Sequence, residues 1–420
     1  MKTTLSNLRT GFSPVFWVAN IVELFERLAF YGSKAVLAFY LANTIGLDLA
    51  TTGWLLGMFA GLIWSLPVLA GVVVDRFGFR AALLACFAIF ALGYFSVGLA
   101  GMPEGKPLVD ALGKTGFVAA ALILTAIGGS LIKPSVVGTV ERTAMPEFRA
   151  LGFSIYYALV NLGGAIGPIL ASELRTRFGF EWVFVMSAAV SAAMFFGVLL
   201  FFKEPPLPEG IALQQRSFGK LFRDMGLVFR NFRFVSFLVI FSGFWIMFWQ
   251  EFIALPFYVD KVLQFPRFEI IETVDAWTII VLSVPLTALS RKTSAMNAMI
   301  IGFAIASCSW FFLAASQTIW ATVVGMGVFA VGESLQSPRF YEYVGSLAPK
   351  DQVGTYMGFA FLPIAIGSFI AGRLATWLVE HYLNQPATMW LIVAAIGFVT
   401  GALLFVHSKV FQARPLTSPN

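Results

Sequence analysis

Two cysteines, two histidines and a 12% share of charged residues are all that this 420-residue chain offers to reactive chemistry. Cys86 and Cys308 stand alone in different apolar stretches, so neither a disulfide nor a thiolate metal cluster is indicated. His381 and His407 fall at the ends of such stretches, which excludes a histidine relay at their centre. No nucleophile–base pair or metal-ligand grouping can be identified, so the chain is not read as an enzyme. Charged residues at about half the usual ~25%, beside apolar residues at 59%, exclude an ordinary soluble domain.

What fills the chain is membrane-spanning sequence. A span needs roughly 20 apolar residues, so a chain of this length accommodates about twelve helices with their loops. The hydropathy pattern supplies that number and predicts an all-α integral membrane protein. The longest polar interruption, residues 203–232, contains Pro205, Pro206, Pro208 and a basic stretch from Arg216 to Arg230, and it divides six spans from six. The expected organisation is an N-terminal six-helix bundle over 1–202, a cytoplasmic linker over 203–232 and a C-terminal six-helix bundle over 233–410. A C-terminal tail follows over 411–420. The linker reads as an amphipathic segment lying on the inner leaflet.

The formal net charge of +6 has a topological cause. With both termini cytoplasmic, most lysines and arginines fall in inner segments, among them Arg76, Arg80, Arg142, Arg149, Arg223 and Arg291, and few in outer loops. The partner implied is the lipid bilayer of the cell membrane rather than nucleic acid, and the chain is read as a monomer. The first apolar segment is too long and too interrupted by charge to read as a cleavable leader.

That first segment carries the densest chemistry. Glu23, Glu26, Arg27, Phe30 and Lys34 recur at i, i+3, i+4, i+7 and i+11, one stripe along a helix, with Tyr31 beside it. Each charge near the middle of a bilayer costs on the order of 2.5–3.5 kcal/mol, so such residues usually face an aqueous cavity and work there. The alternative is a self-neutralising pair that only ties helices together. Span 4 contains Lys133 followed by Pro134, whose missing N–H exposes a carbonyl one turn earlier. Lys133 needs a carboxylate, and Glu23 and Glu26 are its candidates.

Other motifs are distributed along both halves. Gly53, Gly57 and Gly61 at four-residue spacing suit close helix packing. The stretch Gly71 to Arg80, with Asp75, Arg76, Gly78 and Arg80, resembles the loop 2–3 signature of the major facilitator superfamily and suits a gate latch. Span 5 holds Asn161, a candidate cavity residue, among packing glycines. In the second half, Glu251 beside Trp249, and Glu333, are isolated acids in apolar sequence. Glu269, Glu272 and Asp275 share a helical face, with Glu269 read as a solvated carboxylate at a helix start.

Several of these residues together resemble one family. Glu23-x-x-Glu26-Arg27-x-x-Phe30-Tyr31-Gly32 is similar to the most specific motif of the proton-dependent oligopeptide transporter family within the major facilitator superfamily. Lys34, Lys133-Pro134, the Phe153-to-Pro168 region, Gly332-Glu333 with Ser337-Pro338, and Leu347-Ala348-Pro349-Lys350 also match. The resemblance implies twelve transmembrane helices in two bundles, and spans 1, 4, 7 and 10, which carry the isolated charges, are expected to line a central cavity. The chain departs from the family at Phe30, which stands for a usual tyrosine, at Trp64, roughly where another tyrosine is expected, and at Asp275, about where an asparagine is common. It also lacks the two helices that many bacterial members insert between the halves.

The function so implied is a proton-coupled symporter importing a small zwitterion, with di- and tripeptides leading. Arg27, Tyr31, Lys34, Lys133, Asn161, Trp249, Asp275 and Glu333 are the expected substrate residues. Glu23, Glu26, Lys133 and Glu251 are the expected proton-coupling residues, and Asp75, Arg76 and Arg80 the gate. Protons are the coupling ion, with no other cofactor. Alternatives are a proton-coupled exporter of another small molecule or an amphipathic cation, drawing on the acids and on Trp245, Trp249 and Trp277, or a sensor built on a transporter fold.

Overall fold

The computed structural model describes residues 11–206, 218–290, 292–348 and 353–412. Among the described residues it is helical throughout, with a lone β-bridge between Phe12 and Ala144. The middle of the expected linker, most of the C-terminal tail, Arg291 and the Pro349-Lys350 half of one family motif lie outside the described residues.

The first half comprises α1 (Pro14–Phe39), α2 (Leu49–Ser65), α3 (Pro67–Phe77), α4 (Phe79–Leu99), the short α5 (Lys106–Leu112), α6 (Lys114–Ser130), α7 (Ile132–Thr143), α8 (Arg149–Phe178) and α9 (Glu181–Phe201). After α10 (Phe218–Phe229) come α11 (Phe232–Phe248), α12 (Gln250–Lys261), α13 (Phe268–Ser290), α14 (Ala295–Ala315), α15 (Ile319–Leu347), α16 (Val353–Phe359), α17 (Leu362–Tyr382) and α18 (Pro386–Gln412).

Ten helices or continued helix pairs are long and apolar enough to cross a membrane, and α2 with α3, bent by 42°, makes an eleventh. The twelfth expected span is α1. Its 26 residues cover roughly 39 Å, enough for a ~30 Å hydrocarbon core. Its charges are what set it apart from the other eleven.

Proline explains the broken spans. Pro67 opens α3 just after the bend, and Pro134 lies two residues into α7, where the preceding helix ends at Ser130. A proline nitrogen cannot bond the carbonyl four residues earlier, which for Pro134 is that of Ser130. Pro363 sits at the start of α17 in the same way.

The chain forms two compact units, residues 1–48 with 62–220, and residues 49–61 with 221–420. In the first, α1 packs on α8 and α9, and α4 packs on α6 and α9. In the second, α11 packs on α17 and α18, and α14 packs on α15 and α18. Counted as spans, the pairs 1–5, 1–6, 3–4 and 3–6 recur as 7–11, 7–12, 9–10 and 9–12. That is the pattern of a repeated six-span module.

The opening of α2 belongs with the second unit because of its glycines. A β-carbon on Gly53 would stand 2.5 Å from the carbonyl oxygen of Gly372, and one on Gly57 would stand 2.7 Å from that of Phe369, both on α17. Only hydrogens at these positions allow the two backbones to touch.

Candidate functional site

The stripe read from the sequence is buried along α1. Glu23 is 0% exposed, and Glu26, Arg27, Phe30 and Lys34 are buried with it. Arg27 grips Glu26 with two parallel bonds, Nε to Oε2 and one terminal nitrogen to Oε1 at 2.7 Å. Its Nε also lies 3.7 Å from Glu23 Oε1. The guanidinium is further covered by the Phe30 ring at 4.8 Å and the Tyr31 ring at 5.9 Å, while Lys34 lies 5.3 Å from the same Tyr31 ring. A planar, two-pronged cation matches a carboxylate in a way that a point charge cannot, so Arg27 with Glu26 forms the fixed part of the site.

Glu23 joins this pair to two other helices. Lys133 of α7 donates from Nζ to Glu23 Oε1 at 3.1 Å, and Tyr156 of α8 donates its hydroxyl to the same oxygen at 3.1 Å. Lys133 also lies 2.8 Å from the Tyr156 oxygen, which closes a triangle. Of the two carboxylates the sequence offered to Lys133, the structure selects Glu23. The lysine side chain keeps 22% of its surface exposed, against 5% for Arg27. Glu23, Glu26, Arg27 and Lys133 thus form one network of two carboxylates and two cations with no net charge, which is what allows them to be buried together, with Lys34 beside it at the Tyr31 ring. The exposed member is the point-charge ammonium.

Glycine on α8 makes this proximity possible. A β-carbon on Gly163 would sit 2.6 Å from Arg27 Cβ, and one on Gly167 would sit 2.5 Å from the Leu28 carbonyl oxygen. A β-carbon on Gly32 of α1 would in turn sit 2.9 Å from the Gly167 carbonyl oxygen. The expected cavity residue of this helix, Asn161, is half-buried and bonds back to its own helix at the Tyr157 carbonyl, 2.8 Å away.

Tyr156 is the site residue that sequence reasoning missed. It lies inside the Phe153-to-Pro168 region that carries the family resemblance, but a lone tyrosine among aromatic residues gives no local signal. Its hydroxyl supplies a phenol to the network in a chain that lacks those expected at Phe30 and Trp64.

The loop between α3 and α4 holds a second omission. Gly78 has φ +84°, and after it the backbone N–H groups of Phe79 and Arg80 donate to Glu204 at 2.9 and 2.7 Å. Arg80 donates to the Leu199 carbonyl at 2.8 Å, and Arg142 lies over the Phe79 ring at 4.3 Å. Arg76 is exposed and Asp75 half-buried. The anchor of this loop is therefore Glu204, at the first residues of the linker, acting as a helix N-terminal acid.

In the second unit the candidate residues lie on α12, α13 and α15. Glu251 is 0% exposed, one residue into α12 and two after Trp249 at the α11–α12 junction. Glu272 and Asp275 are buried on α13, and Glu333 of α15 is half-buried. Glu269 corrects an expectation. It is fully buried rather than solvated, because Phe268 and Ile271 beside it bury the start of α13 in the unit's interior. Around Trp249, the rings of Trp245, Phe248 and Phe252 form a chain of edge-to-face contacts. Arg339 is held by Glu342 and by the Thr293 carbonyl, a staple between α15 and the turn before α14.

The sequence model of the Major Facilitator Superfamily matches residues 20–360 and 268–419. The "Multidrug resistance protein MdtH" of Sodalis glossinidius is 25% identical over 93% of this chain and 91% of its own length. The protein of that name from Salmonella arizonae is 24% identical over 91% of each chain. Among solved structures, a POT family transporter in complex with 5-aminolevulinic acid superimposes with a TM-score of 0.77 at 19% identity, covering 94% of this chain and 96% of that one. The peptide transporter POT in complex with sulfate gives 0.77 at 18% identity, over 94% of both chains. The fold is thus one that POT transporters share. With a repeated six-span packing scheme, a charged wall inside the membrane and a family match over nearly the whole length, the chain belongs to the Major Facilitator Superfamily and is a transporter rather than an enzyme.

Proposed function

We propose that this transporter couples an inward proton gradient to the uptake of small zwitterions, short peptides first among them, by alternating access of the bundles 1–202 and 233–410. The observation that carries the reading is the Lys133 ammonium. It is held by Glu23 and Tyr156 yet partly exposed, so a substrate carboxylate can compete for it and a proton on the carboxylate can release it. Arg27, locked to Glu26, acts through charge rather than by direct contact, with Lys34 and Tyr31 beside it. In the second unit, Glu333 offers a carboxylate to an ammonium, and Trp249 and Asp275 contribute an aromatic face and a further acid. The likeness to POT structures, including one with 5-aminolevulinic acid bound, supports this reading.

A second reading is export of an amphipathic cation in exchange for protons. It is favoured by the acids and indole rings of the second unit and by the names of the curated relatives. The basic residues of the first unit oppose it, because they repel a cation. The experiment that separates the two is uptake of radiolabelled dipeptides and of a lipophilic cation into proteoliposomes under gradients of either sign. Symport predicts dipeptide accumulation with the lumen alkaline; cation accumulation with the lumen acid overturns it. Within the symport reading, Glu333→Gln lowers affinity for a free-amine peptide by about tenfold while N-acylated analogues bind poorly to both proteins. Equal binding of acylated and free-amine ligands by the unmutated protein removes Glu333 from that role.

A further inference from the structure

The carboxylate of Glu23 is satisfied by protein donors on one side only. Lys133, Tyr156 and Arg27 all approach Oε1, whereas Oε2 is buried with no hydrogen-bond donor among the described residues. Glu26 differs, since Arg27 occupies both of its oxygens. A proton arriving on Glu26 removes the charge that holds a two-pronged guanidinium bond. One arriving on Glu23 Oε2 displaces nothing.

One turn earlier on the same helix, Asn20 is also 0% exposed. Its Nδ2 donates to the Phe16 carbonyl at 2.8 Å, which fixes the orientation of the amide, because an amide oxygen turned toward that carbonyl would meet another acceptor. The Oδ1 atom is then a second buried acceptor with no donor among the described residues. Asn20 and Glu23 are three residues apart and therefore neighbours on one helix face, and side chains on a helix lean toward its N-terminus, which brings the Glu23 carboxyl back toward Asn20. Two buried acceptors without donors, three residues apart on one helix, can both be satisfied by a single hydrogen shared between them.

We propose that Asn20 is the positioning residue for the coupling proton: Glu23 is protonated on Oε2, and the new O–H donates to Asn20 Oδ1. The inference rests on the proton-coupled reading and extends it to a residue outside the motif that carries the family resemblance. In the step, a hydronium ion gives up one O–H bond and leaves as water, and its proton forms one O–H bond on Oε2. No protein bond breaks, and the lost negative charge loosens the hold of Oε1 on the Lys133 ammonium. The charged and titratable groups around Glu23 are Arg27 and Glu26 on α1, Lys133 on α7, Tyr156 on α8, and Cys86 and Tyr94 of α4, which interact electrostatically with the carboxylates. None of these donates to Oε2.

The test reads the proton directly. The C=O stretch of the protonated Glu23 carboxyl, assigned by its loss in Glu23→Gln, is followed against pH by infrared difference spectroscopy on the purified full-length protein, with no substrate and no gradient. Asn20→Leu removes the acceptor and moves the midpoint of this band about one pH unit toward acid. Asn20→Asp keeps the size but adds a negative charge, and moves the midpoint toward alkaline. Shifts of opposite sign distinguish proton positioning from general damage, which moves both variants the same way. Should Asn20→Leu fail to fold, the smaller Asn20→Ala, which removes the same acceptor, takes its place beside Asn20→Asp. An unmoved midpoint, or shifts of the same sign, overturns the role of Asn20. Because the band needs no transport, this outcome is separable from a failure of the symport reading, which shows only in proteoliposomes.

Discussion

In the first unit the buried carboxylates Glu23 and Glu26 lie against Arg27 and Lys133, whereas the second unit buries Glu251, Glu269, Glu272 and Asp275 with Arg339 alone among its described, buried lysines and arginines. Arg339 is itself held by Glu342 and a backbone carbonyl. Both units carry the same helix-pairing scheme, so the difference lies in side chains and not in architecture. A balanced network tolerates burial and changes state when one proton is added, because that proton leaves a cation in excess. An acid-rich wall instead attracts positive charge. Under the proposed symport, the first module senses protons and carboxylates and its counterpart receives an amine.

The largest effect that can break this comparison is expected at Lys133. A proton gradient equivalent to ~100 mV supplies ~2.3 kcal/mol per charge, or roughly a fifty-fold concentration ratio. Lys133→Ala is expected to erase that whole ratio in proteoliposomes, and retention of full accumulation places coupling outside the first unit.

Next in size is Gly163. A leucine there drives a side chain into Arg27 Cβ and separates α8 from α1, so folded yield in detergent, followed by size-exclusion chromatography, should fall to near zero. Gly164→Ala next to it, whose β-carbon meets the Tyr31 ring at an ordinary 3.5 Å, should fold normally.

The same chemical change then compares the units. Glu26→Gln breaks a buried two-pronged ion pair and should cost about 2–3 kcal/mol in unfolding measurements. Glu333→Gln, at a half-exposed position, should cost less than about 1 kcal/mol. Equal costs remove the distinction between a structural and a ligand-facing acid. The smallest effect is Tyr156→Phe, which deletes one neutral hydroxyl from the Lys133–Glu23 triangle. At about 1 kcal/mol it should lower uptake roughly five-fold and leave folding intact.

How much of this was readable beforehand depends on whether a relation lies within one helix or between helices. The stripe of Glu23, Glu26, Arg27, Phe30 and Lys34 follows from helical period alone, and all five are buried on α1. Lys133 required a carboxylate by cost, and it has one in Glu23. Pro134 reads as freeing a carbonyl one turn earlier, and the span breaks there, whereas the like break at Pro67 was not anticipated. Tyr156 was not legible, because its role depends on how closely Gly163 and Gly167 let α8 approach α1. Glu204 was hidden for a similar reason, since an acid in a polar linker reads as solvated until the start of α4 is seen to lie against it. Glu269 was misread because its exposure was judged from its place at a helix start, while the apolar neighbours Phe268 and Ile271 decide it.

The central claim, that a proton added to the first unit's charge network accompanies substrate inward, is tested most directly by proton flux. Liposomes containing the protein and a trapped pH dye, held at zero membrane potential, receive an external dipeptide in the absence of any imposed gradient. The account predicts that the lumen acidifies as peptide enters, and that Lys133→Ala abolishes the signal. Peptide entry with no pH change, or a lumen that turns alkaline when a lipophilic cation is added, contradicts it.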